Sequence, residues 1–521
     1  MIIHRNPDRS VWSGARSATP LGNHTQTLPD VHLGSQAMRN RASSPTISGL
    51  TVFAFIWACQ ALVHQEFYSG WVDGKDWAGW LVTILGVVVL LRPSSLSLFA
   101  ALLLSSVVYN VRKWPFVVNH ILVESVINSV VLGAIIWSVW EGRGRQDAIG
   151  GAAVRERAVD RFAPVARLML VVMYYFAVVA KLNFDFIDPE YSCVTAMYDD
   201  LLRRFSFLPT GRLGELAAIW GTVAIELAIP LLLTFRRTRW LGIAIGLPFH
   251  LMLGLIGHRT FSALAYGVYS LFLIDELTSV VRACWARAQR WFGETGWRRV
   301  RLLCQFGIGA GVAVLVALDL TGHYRAGVGP FRVYRAAWAI WIFWSLALMA
   351  LYATAIRLQL ASGEKWVRLK RAASPGLLWA AVVLVILNGL SQYLGLKTET
   401  CFTMYSNLRT EAGINNHLFM PAFRLAQYQD DLVDIVTTSH PTLQRAVNEQ
   451  KYITYFELRR VISTSTGDFE VTYRRGGKQH RYAQRGGVPN DAALAAPLNR
   501  LLAKVLYFRP VPKSVHCPCQ H

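Results

Sequence analysis

The stretch from residue 77 to residue 111 reads WAGWLVTILGVVVLLRPSSLSLFAALLLSSVVYNV, and it decides the fold class. It contains two apolar runs, 77–91 and 96–111, which are separated only by the tetrapeptide Arg-Pro-Ser-Ser at 92–95. Neither run carries the charged residues that the exposed face of a soluble helix requires. Because a helix rises about 1.5 Å per residue, the two runs predict membrane helices joined as a hairpin.

Apolar runs of this kind recur along most of the chain. Of the 521 residues, 53% are hydrophobic and 16% are charged, whereas a soluble domain usually carries about 25% charged residues. The sequence therefore predicts an all-α polytopic membrane bundle of about eleven transmembrane helices, followed by a small α+β soluble domain. The predicted spans are residues 49–65, 77–91, 96–111, 116–140, 163–187, 214–235, 240–257, 261–274, 302–320, 335–356 and 375–396.

Composition divides the chain into three regions. Residues 1–48 are polar and lack the apolar core of a signal peptide, which predicts a disordered basic cytoplasmic tail. Residues 49–397 form the predicted transmembrane domain, and residues 398–521 form a soluble exoplasmic C-terminal domain.

Within the C-terminal domain, helical stretches are predicted at 427–437 and 492–506. A β-hairpin is predicted at 469–482, because Gly476 and Gly477 supply the turn that joins two strands.

Basic loops set the predicted orientation. The Arg- and Lys-rich segments after residues 140, 235 and 274, and the one before residue 374, fall on one side if the span assignment holds. The positive-inside rule makes that side cytoplasmic. We therefore predict a multi-pass cell-membrane protein with a cytoplasmic N-terminus and an exoplasmic C-terminal domain. This orientation depends on the short span at 261–274. Without it, the number of spans would be even and the C-terminal domain would lie on the other side of the membrane.

The formal net charge of +21 has two readings. It fits Arg-rich loops beside anionic lipid, so membrane lipid is the predicted partner. No basic patch with interleaved aromatics is found in the soluble region, so no nucleic-acid partner is predicted. The sequence predicts no oligomeric state.

The seven cysteines are scattered and predict no disulfide framework. The terminal sequence HCPCQH (516–521) has metal-ligand residue types, but its Cys-x-Cys spacing is tighter than that of the usual structural zinc pair. We predict a frayed tail and no metal site.

Ionisable residues within apolar spans are costly and are functional candidates by default. Five stand out: Lys181, His120, Glu124, His250 and Glu226. Lys181 and His120 belong to separate spans, yet both are predicted near the outer leaflet. Desolvation there favours a neutral lysine amine, which is a usable general base, and a neighbouring histidine can relay its proton.

Each candidate also has a structural reading, which the residues alone leave open. Lys181 can snorkel to the outer interface. The histidines and glutamates can hydrogen-bond to neighbouring helices, as polar residues in membrane bundles commonly do.

Short motifs along the chain resemble the HTTM (horizontally transferred transmembrane) family, to which the vitamin K-dependent gamma-carboxylase belongs. The lysine-bearing helix resembles that of the family, and so does an Asn-His helix, and the motifs occur in the family's order. In chain order they are NH at 119–120, YFAVVAKLN at 175–183, ELAIP at 226–230, FHL at 249–251, MYSNLRTE at 404–411 and NHL at 416–418.

The resemblance implies a chemistry. In the carboxylase, the lysine deprotonates reduced vitamin K with the help of a histidine, and the oxygenated quinol then abstracts a proton from a glutamyl residue for CO₂ addition. It implies Lys181 as catalytic base, His120 as its catalytic helper, and a reduced, vitamin K-like quinone as cofactor. We place Asn119, Glu124, His250 and Glu226 as substrate-binding residues.

The sequence also departs from the family. Ala180 precedes Lys181 where the carboxylase has a second lysine, and the soluble domain is far shorter. The predicted function is therefore a carboxylase-related membrane enzyme, a carbon–carbon lyase or a quinol-dependent enzyme, that acts on a quinone-like or lipid molecule. The alternatives are a non-catalytic lipid- or quinone-binding membrane protein, and a transporter. A transporter would show an inverted repeat, and no internal repeat is found.

Overall fold

A computed structural model describes residues 47–69, 76–145, 150–203, 205–321, 330–362, 373–517 and 519. The predicted tail at 1–48 lies outside the described residues except for its last two positions.

The membrane domain is built from consecutive helices joined by short loops. Each of the predicted spans overlaps a helix, because apolar runs in lipid satisfy their backbone polar groups only by forming one. The helices are α1 (Gly49–Ser69), α2 (Trp77–Leu91), α3 (Leu96–Lys113), α4 (Asn119–Gly144), α5 (Ala152–Lys181), α6 (Phe184–Ile187), α7 (Cys193–Leu202), α8 (Arg212–Thr234), α9 (Arg239–Leu255), α10 (Arg259–Tyr269), α11 (Ile274–Leu320), α12 (Pro330–Ser362) and α13 (Gly376–Leu390).

Six of the described helical segments are long and apolar enough to cross a membrane by length and composition. Three more apolar helices, α2, α9 and α13, are shorter than that limit. The chain is thus mostly helical, and its described part has six helices that could cross a membrane, while the count of eleven stays a prediction.

Close packing and polar bonds between helices hold the bundle together, as expected where lipid removes the hydrophobic drive for helix association. In the core, the rings of Phe53 and Trp57 on α1 stack with centroids 5.1 Å apart. The indole N–H of Trp57 donates to Asn128 Oδ1 on α4 at 2.7 Å. Gly254 lets α9 approach α12, because a Cβ at this position would collide with the ring of Trp341.

The chain ends in a six-stranded antiparallel sheet with the order β5-β4-β3-β1-β2-β6. Helices α14 and α15 follow β1 and β2, and α16 and α17 precede β6. The elements are β1 (Leu432–Thr438), α14 (Pro441–Asn448), β2 (Lys451–Thr454), α15 (Tyr455–Thr464), β3 (Phe469–Arg475), β4 (Lys478–Arg485), β5 (Val488–Pro489), α16 (Ala492–Ala495), α17 (Arg500–Val505) and β6 (Val511–Pro512).

The predicted hairpin at 469–482 is confirmed by β3 and β4, with positive φ of 55° and 76° at Gly476 and Gly477. The helix predicted at 427–437 is wrong, because this segment contains β1. Val433 and Ile435 are buried on one face of that strand, which is the two-residue period of a sheet. The helix predicted at 492–506 is divided into α16 and α17, with Pro497 between them, since proline cannot continue a helix.

The cysteine spacing indicated no disulfide framework, and the prediction of a frayed tail is wrong for the described tail residues. Cys193, the first residue of α7, is disulfide-bonded to Cys519 at a sequence separation of 326. The backbone N–H of Cys517 donates to Asp185 Oδ2 at 2.9 Å, and the ring of His516 stacks on Tyr191. Contacts across such a separation leave no local signal in the sequence.

Candidate functional site

A cavity of about 550 Å³ lies where the end of α5 meets the start of α4, the helix pair α8 and α9, and the segment that follows α13. One part of its wall is polar and the rest is apolar. The polar lining includes Asn119, His120, Lys181, Glu226, Glu399 and Arg509.

Lys181 is the last residue of α5 and is 3% exposed. Its Nζ atom forms an ion pair with Glu226 Oε2 at 2.8 Å and donates to the carbonyl oxygens of Met404 at 3.1 Å and Ala177 at 3.4 Å. Two backbone carbonyls and one carboxylate thus surround the amino group. The side chain therefore points into the bundle, and snorkelling does not describe its position.

Glu226 lies in the middle of α8 and is 8% exposed. Pro230 stands one turn later and lacks the N–H that would bond to the carbonyl oxygen of Glu226. The motif ELAIP thus places an ionisable side chain at the cavity wall, at a point where the helix lacks one backbone hydrogen bond.

His120 is buried in the first turn of α4 and lines the same cavity as Lys181. Its ring centroid lies 6.0 Å from that of Phe261 on α10. The structure therefore brings the two residues predicted as catalytic to one cavity. Asn119 lines it too, and its Oδ1 accepts the backbone N–H of Phe402 at 2.6 Å, which fixes the segment after α13 against α4.

Glu124, predicted to bind substrate, lies outside the cavity lining. Its Oε2 accepts from Gln60 Nε2 at 2.8 Å and lies 2.8 Å from His64 Nδ1. Asn128 Nδ2 donates to its Oε1 at 3.5 Å. These contacts join α4 to α1, which is the structural reading that the sequence had left open.

His250 also lies behind the cavity wall. Its Nε2 is hydrogen-bonded to the hydroxyl of Tyr174, and its Nδ1 lies 3.3 Å from Ser262 Oγ. The hydroxyl of Tyr174 in turn lies 2.7 Å from that of Tyr269. Tyr174 lines the cavity, so its hydrogen bond connects His250 to the site.

The segment at 398–412 contributes to the cavity wall, although the sequence did not predict it as part of the site. Within the described residues, six non-glycine residues have positive φ, and five of them lie here. Backbone strain of this kind concentrates at functional sites, where the surrounding structure holds it. The strained residues are Thr400, Phe402, Tyr405, Asn407 and Ala412.

This strained segment faces the cavity directly. Met404 supplies the carbonyl that accepts from Lys181, and the hydroxyl of Tyr405 lies 3.0 Å from His258 Nδ1. The motif MYSNLRTE, noted above for its resemblance, was the one sequence signal that pointed to this segment.

Arg509, just before β6, places a charge from the C-terminal region in the cavity wall. Its Nε donates to Glu411 Oε1 at 2.8 Å, and its Nη2 donates to Glu411 Oε2 at 3.1 Å. Burial alone would raise the pKa of Glu411, but the charge of Arg509 and the hydrogen bonds from it outweigh burial and lower that pKa. Burial raises the pKa of Glu399 even though Arg509 opposes the shift. The cavity wall therefore includes a carboxyl group that keeps its proton to a higher pH than an exposed glutamate does.

No cluster of three or more His, Cys, Asp and Glu side chains suited to a metal ion occurs in the described part of the chain. No family model matches the chain, no curated protein matches it, and no solved structure matches it. The likeness to the HTTM family therefore rests on the quoted motifs alone.

Proposed function

We propose that the protein is a multi-pass membrane enzyme that performs acid–base chemistry on a quinone-like or lipid molecule bound in this cavity. The observation that carries the proposal is the placement of Lys181, Glu226 and His120 at one cavity. Buried ionisable groups that converge on a pocket of a few hundred Å³ are typical of active sites.

The remaining lining favours an amphiphilic ligand. Apolar side chains from α7, α8 and α9 cover the wall beyond the polar groups, among them Met197, Ile225 and Leu253. Ala217 on α8 and Met252 on α9 line the cavity and are exposed. A ligand with an apolar tail can therefore enter from the bilayer between these helices and present its polar head to Lys181.

The resemblance to the carboxylase family adds the chemical class. It assigns the base role to the position of Lys181, the helper role to the position of His120, and a reduced quinone as the molecule that loses a proton. The short soluble domain leaves no large surface for a protein substrate, so we do not extend the proposal to carboxylation of peptide glutamate.

A second candidate is non-catalytic binding of the same kind of molecule. The ion pair favours it, because the amino group of Lys181 already has Glu226 as counter-ion and donates to the carbonyls of Met404 and Ala177.

We further propose that the chain crosses the membrane eleven times, with the N-terminus cytoplasmic and the C-terminal domain exoplasmic. The disulfide between Cys193 and Cys519 supports this orientation, because disulfides persist in oxidising, extracytoplasmic compartments. Cys193 follows α5 closely, so the same argument assigns Lys181 to the outer half of the bundle.

The test uses the full-length protein in lipid nanodiscs with a prenylated 1,4-naphthohydroquinone. We expect the wild type to turn over the hydroquinone. The rate should fall roughly 100-fold or more in Lys181→Met, since acid–base groups typically contribute that much to catalysis. Unchanged turnover in Lys181→Met would contradict the role of Lys181. Saturable binding without turnover in the wild type would favour the binding class, and mass spectrometry of the molecule that co-purifies would identify its native ligand.

A further inference from the structure

We infer that the Glu226 carboxylate, and not the Lys181 amine, accepts the proton in this cavity, while the Lys181 ammonium holds the anion that results. The inference rests on the proposed acid–base function and specifies its chemistry. It assigns a ligand class with an ionisable hydroxyl, such as a phenol or a quinol.

The contacts of Lys181 indicate its protonation state. Its three partners are all oxygen acceptors, namely a carboxylate and two backbone carbonyls. A neutral amine has only two N–H donors and one lone pair. With Glu226 ionised, its carboxylate oxygen would then face the lone pair, which is repulsive. The ion pair therefore fits the ammonium form of Lys181, and an ammonium group has no lone pair with which to take a proton.

Burial of the pair leads to the same conclusion. The side chains of Lys181 and Glu226 are 4% and 11% exposed. Removing the proton from the ammonium would leave the carboxylate as a buried charge without its partner, which is strongly unfavourable. Adding a proton to the carboxylate instead produces a neutral acid, and burial favours the neutral form of a carboxyl group.

The step balances without any further reactant. The O–H bond of the ligand breaks, its proton forms a new O–H bond on the Glu226 carboxylate, and the electron pair of the broken bond stays on the ligand oxygen. The ligand oxyanion then takes the place of the carboxylate beside the Lys181 ammonium. One cation and one anion face each other before and after the step, so no uncompensated charge is created in the apolar cavity.

The geometry permits this exchange because both residues line the same cavity. A hydroxyl oxygen there can lie within hydrogen-bonding distance of both groups, as a proton transfer requires. The carbonyls of Met404 and Ala177 hold the ammonium in place while its counter-ion changes.

The experiment uses 4-methoxy-1-naphthol, a probe that can ionise at its hydroxyl but carries no second hydroxyl for oxidation to a quinone. Its absorption spectrum distinguishes the neutral naphthol from the naphtholate when it is bound to the full-length protein in nanodiscs at neutral pH. The variants are Lys181→Arg, which keeps a cation that cannot act as a base, and Glu226→Gln, which removes the proton acceptor. Glu276→Gln is the matched control, because Glu276 is also a buried carboxylate paired with an arginine, Arg239, but lies outside this cavity.

We expect bound naphtholate in the wild type, in Lys181→Arg and in the control. We expect the ionised fraction to fall about tenfold or more in Glu226→Gln while the probe still binds. Naphtholate in Glu226→Gln together with neutral naphthol in Lys181→Arg would overturn the inference in favour of the lysine amine. Neutral naphthol in the wild type would overturn it as well.

Infrared difference spectroscopy of the wild type gives a second readout, which does not depend on whether the Lys181→Arg variant folds. Probe binding should create the carbonyl stretch of a protonated carboxylic acid, and Glu226→Gln should lack it. Absence of this band in the wild type would also overturn the inference. A wild type that does not bind the probe at all would instead contradict the proposed quinone-like ligand, so the two failures are distinguishable.

Discussion

Lys181 Nζ lies 2.8 Å from Glu226 Oε2, and this ion pair joins the last residue of α5 to the middle of α8. Both side chains are buried, so the contact is screened little by water. The pair is therefore a structural link between two membrane helices as well as the proposed acid–base centre.

The first prediction concerns the stability of this pair. Lys181→Met leaves Glu226 as a buried carboxylate without its counter-ion, and breaking such a pair costs about 3–5 kcal/mol. We expect a lower thermal midpoint for Lys181→Met in detergent, and partial recovery in the double variant Lys181→Met/Glu226→Gln, which removes both charges. The double-mutant cycle measures the coupling energy. A double variant whose loss equals the sum of the two single losses would show that the charges do not interact.

A second prediction concerns pH and the C-terminal sheet region. Burial raises the pKa of Glu457 on α15 to about 7, above its usual value of 4.5, against the opposing charge of Arg460. A raised pKa means that the folded state binds the proton more tightly than the unfolded state. The stability that this proton contributes is present below about pH 4.5 and is lost as the pH rises through about 7.

In the wild type, this proton makes the free energy of unfolding fall by an amount on the order of 3 kcal/mol between about pH 4.5 and pH 7. Glu457→Gln should lack this fall. The measurement is thermal unfolding of the full-length protein at several pH values. Glu449→Gln is the control, because Glu449 is an exposed glutamate in the same domain and its pKa is lowered, mainly by its hydrogen bond with Lys451. Identical slopes for Glu457→Gln and the wild type would contradict the assignment.

A third prediction concerns the disulfide. Alkylation of the unreduced protein in native membranes should leave Cys193 and Cys519 linked and modify the exposed thiol of Cys284, which lies outside the proposed spans. Mass spectrometry of the digest reads both outcomes. Cys519→Ser should lower stability by roughly 2–5 kcal/mol, the usual effect of losing a native disulfide, whereas Cys284→Ser should change it little. Alkylation of both Cys193 and Cys519 before reduction would refute the link and remove its support for the exoplasmic orientation.

Much of the helical architecture could be predicted, because a long apolar segment in lipid can hydrogen-bond its own backbone N–H and C=O groups only by forming a helix. The hairpin at Gly476 and Gly477 could be predicted for a similarly local reason, since both residues tolerate the positive φ of the turn. The segment at 427–437 was assigned wrongly because a short apolar run fits a helix or a strand until its partners are known.

The site was only half predictable. Lys181 and His120 stood out because an ionisable residue in an apolar span violates the local pattern. Glu399 and Arg509 did not stand out in the sequence, because charged residues are common in the polar segments where they lie. The fold brings them to the cavity. Nor does any local rule predict positive φ at Thr400 and Phe402, since β-branched and aromatic residues normally avoid it.

The last prediction tests the cavity itself. Gly221 on α8 lines the cavity, and a Cβ added there would meet no atom within 4 Å. Gly221→Leu should therefore fill the proposed path from the bilayer and weaken binding of a prenylated naphthoquinone by about tenfold or more, which corresponds to about 1.4 kcal/mol of binding free energy. The fold should tolerate the change, because leucine favours a helix more than glycine does. Gly307→Leu on α11 is the matched control, since its added side chain also meets open space but lies outside the cavity. Equal affinities for the two variants, measured by quenching of intrinsic tryptophan fluorescence in nanodiscs, would show that the ligand binds elsewhere.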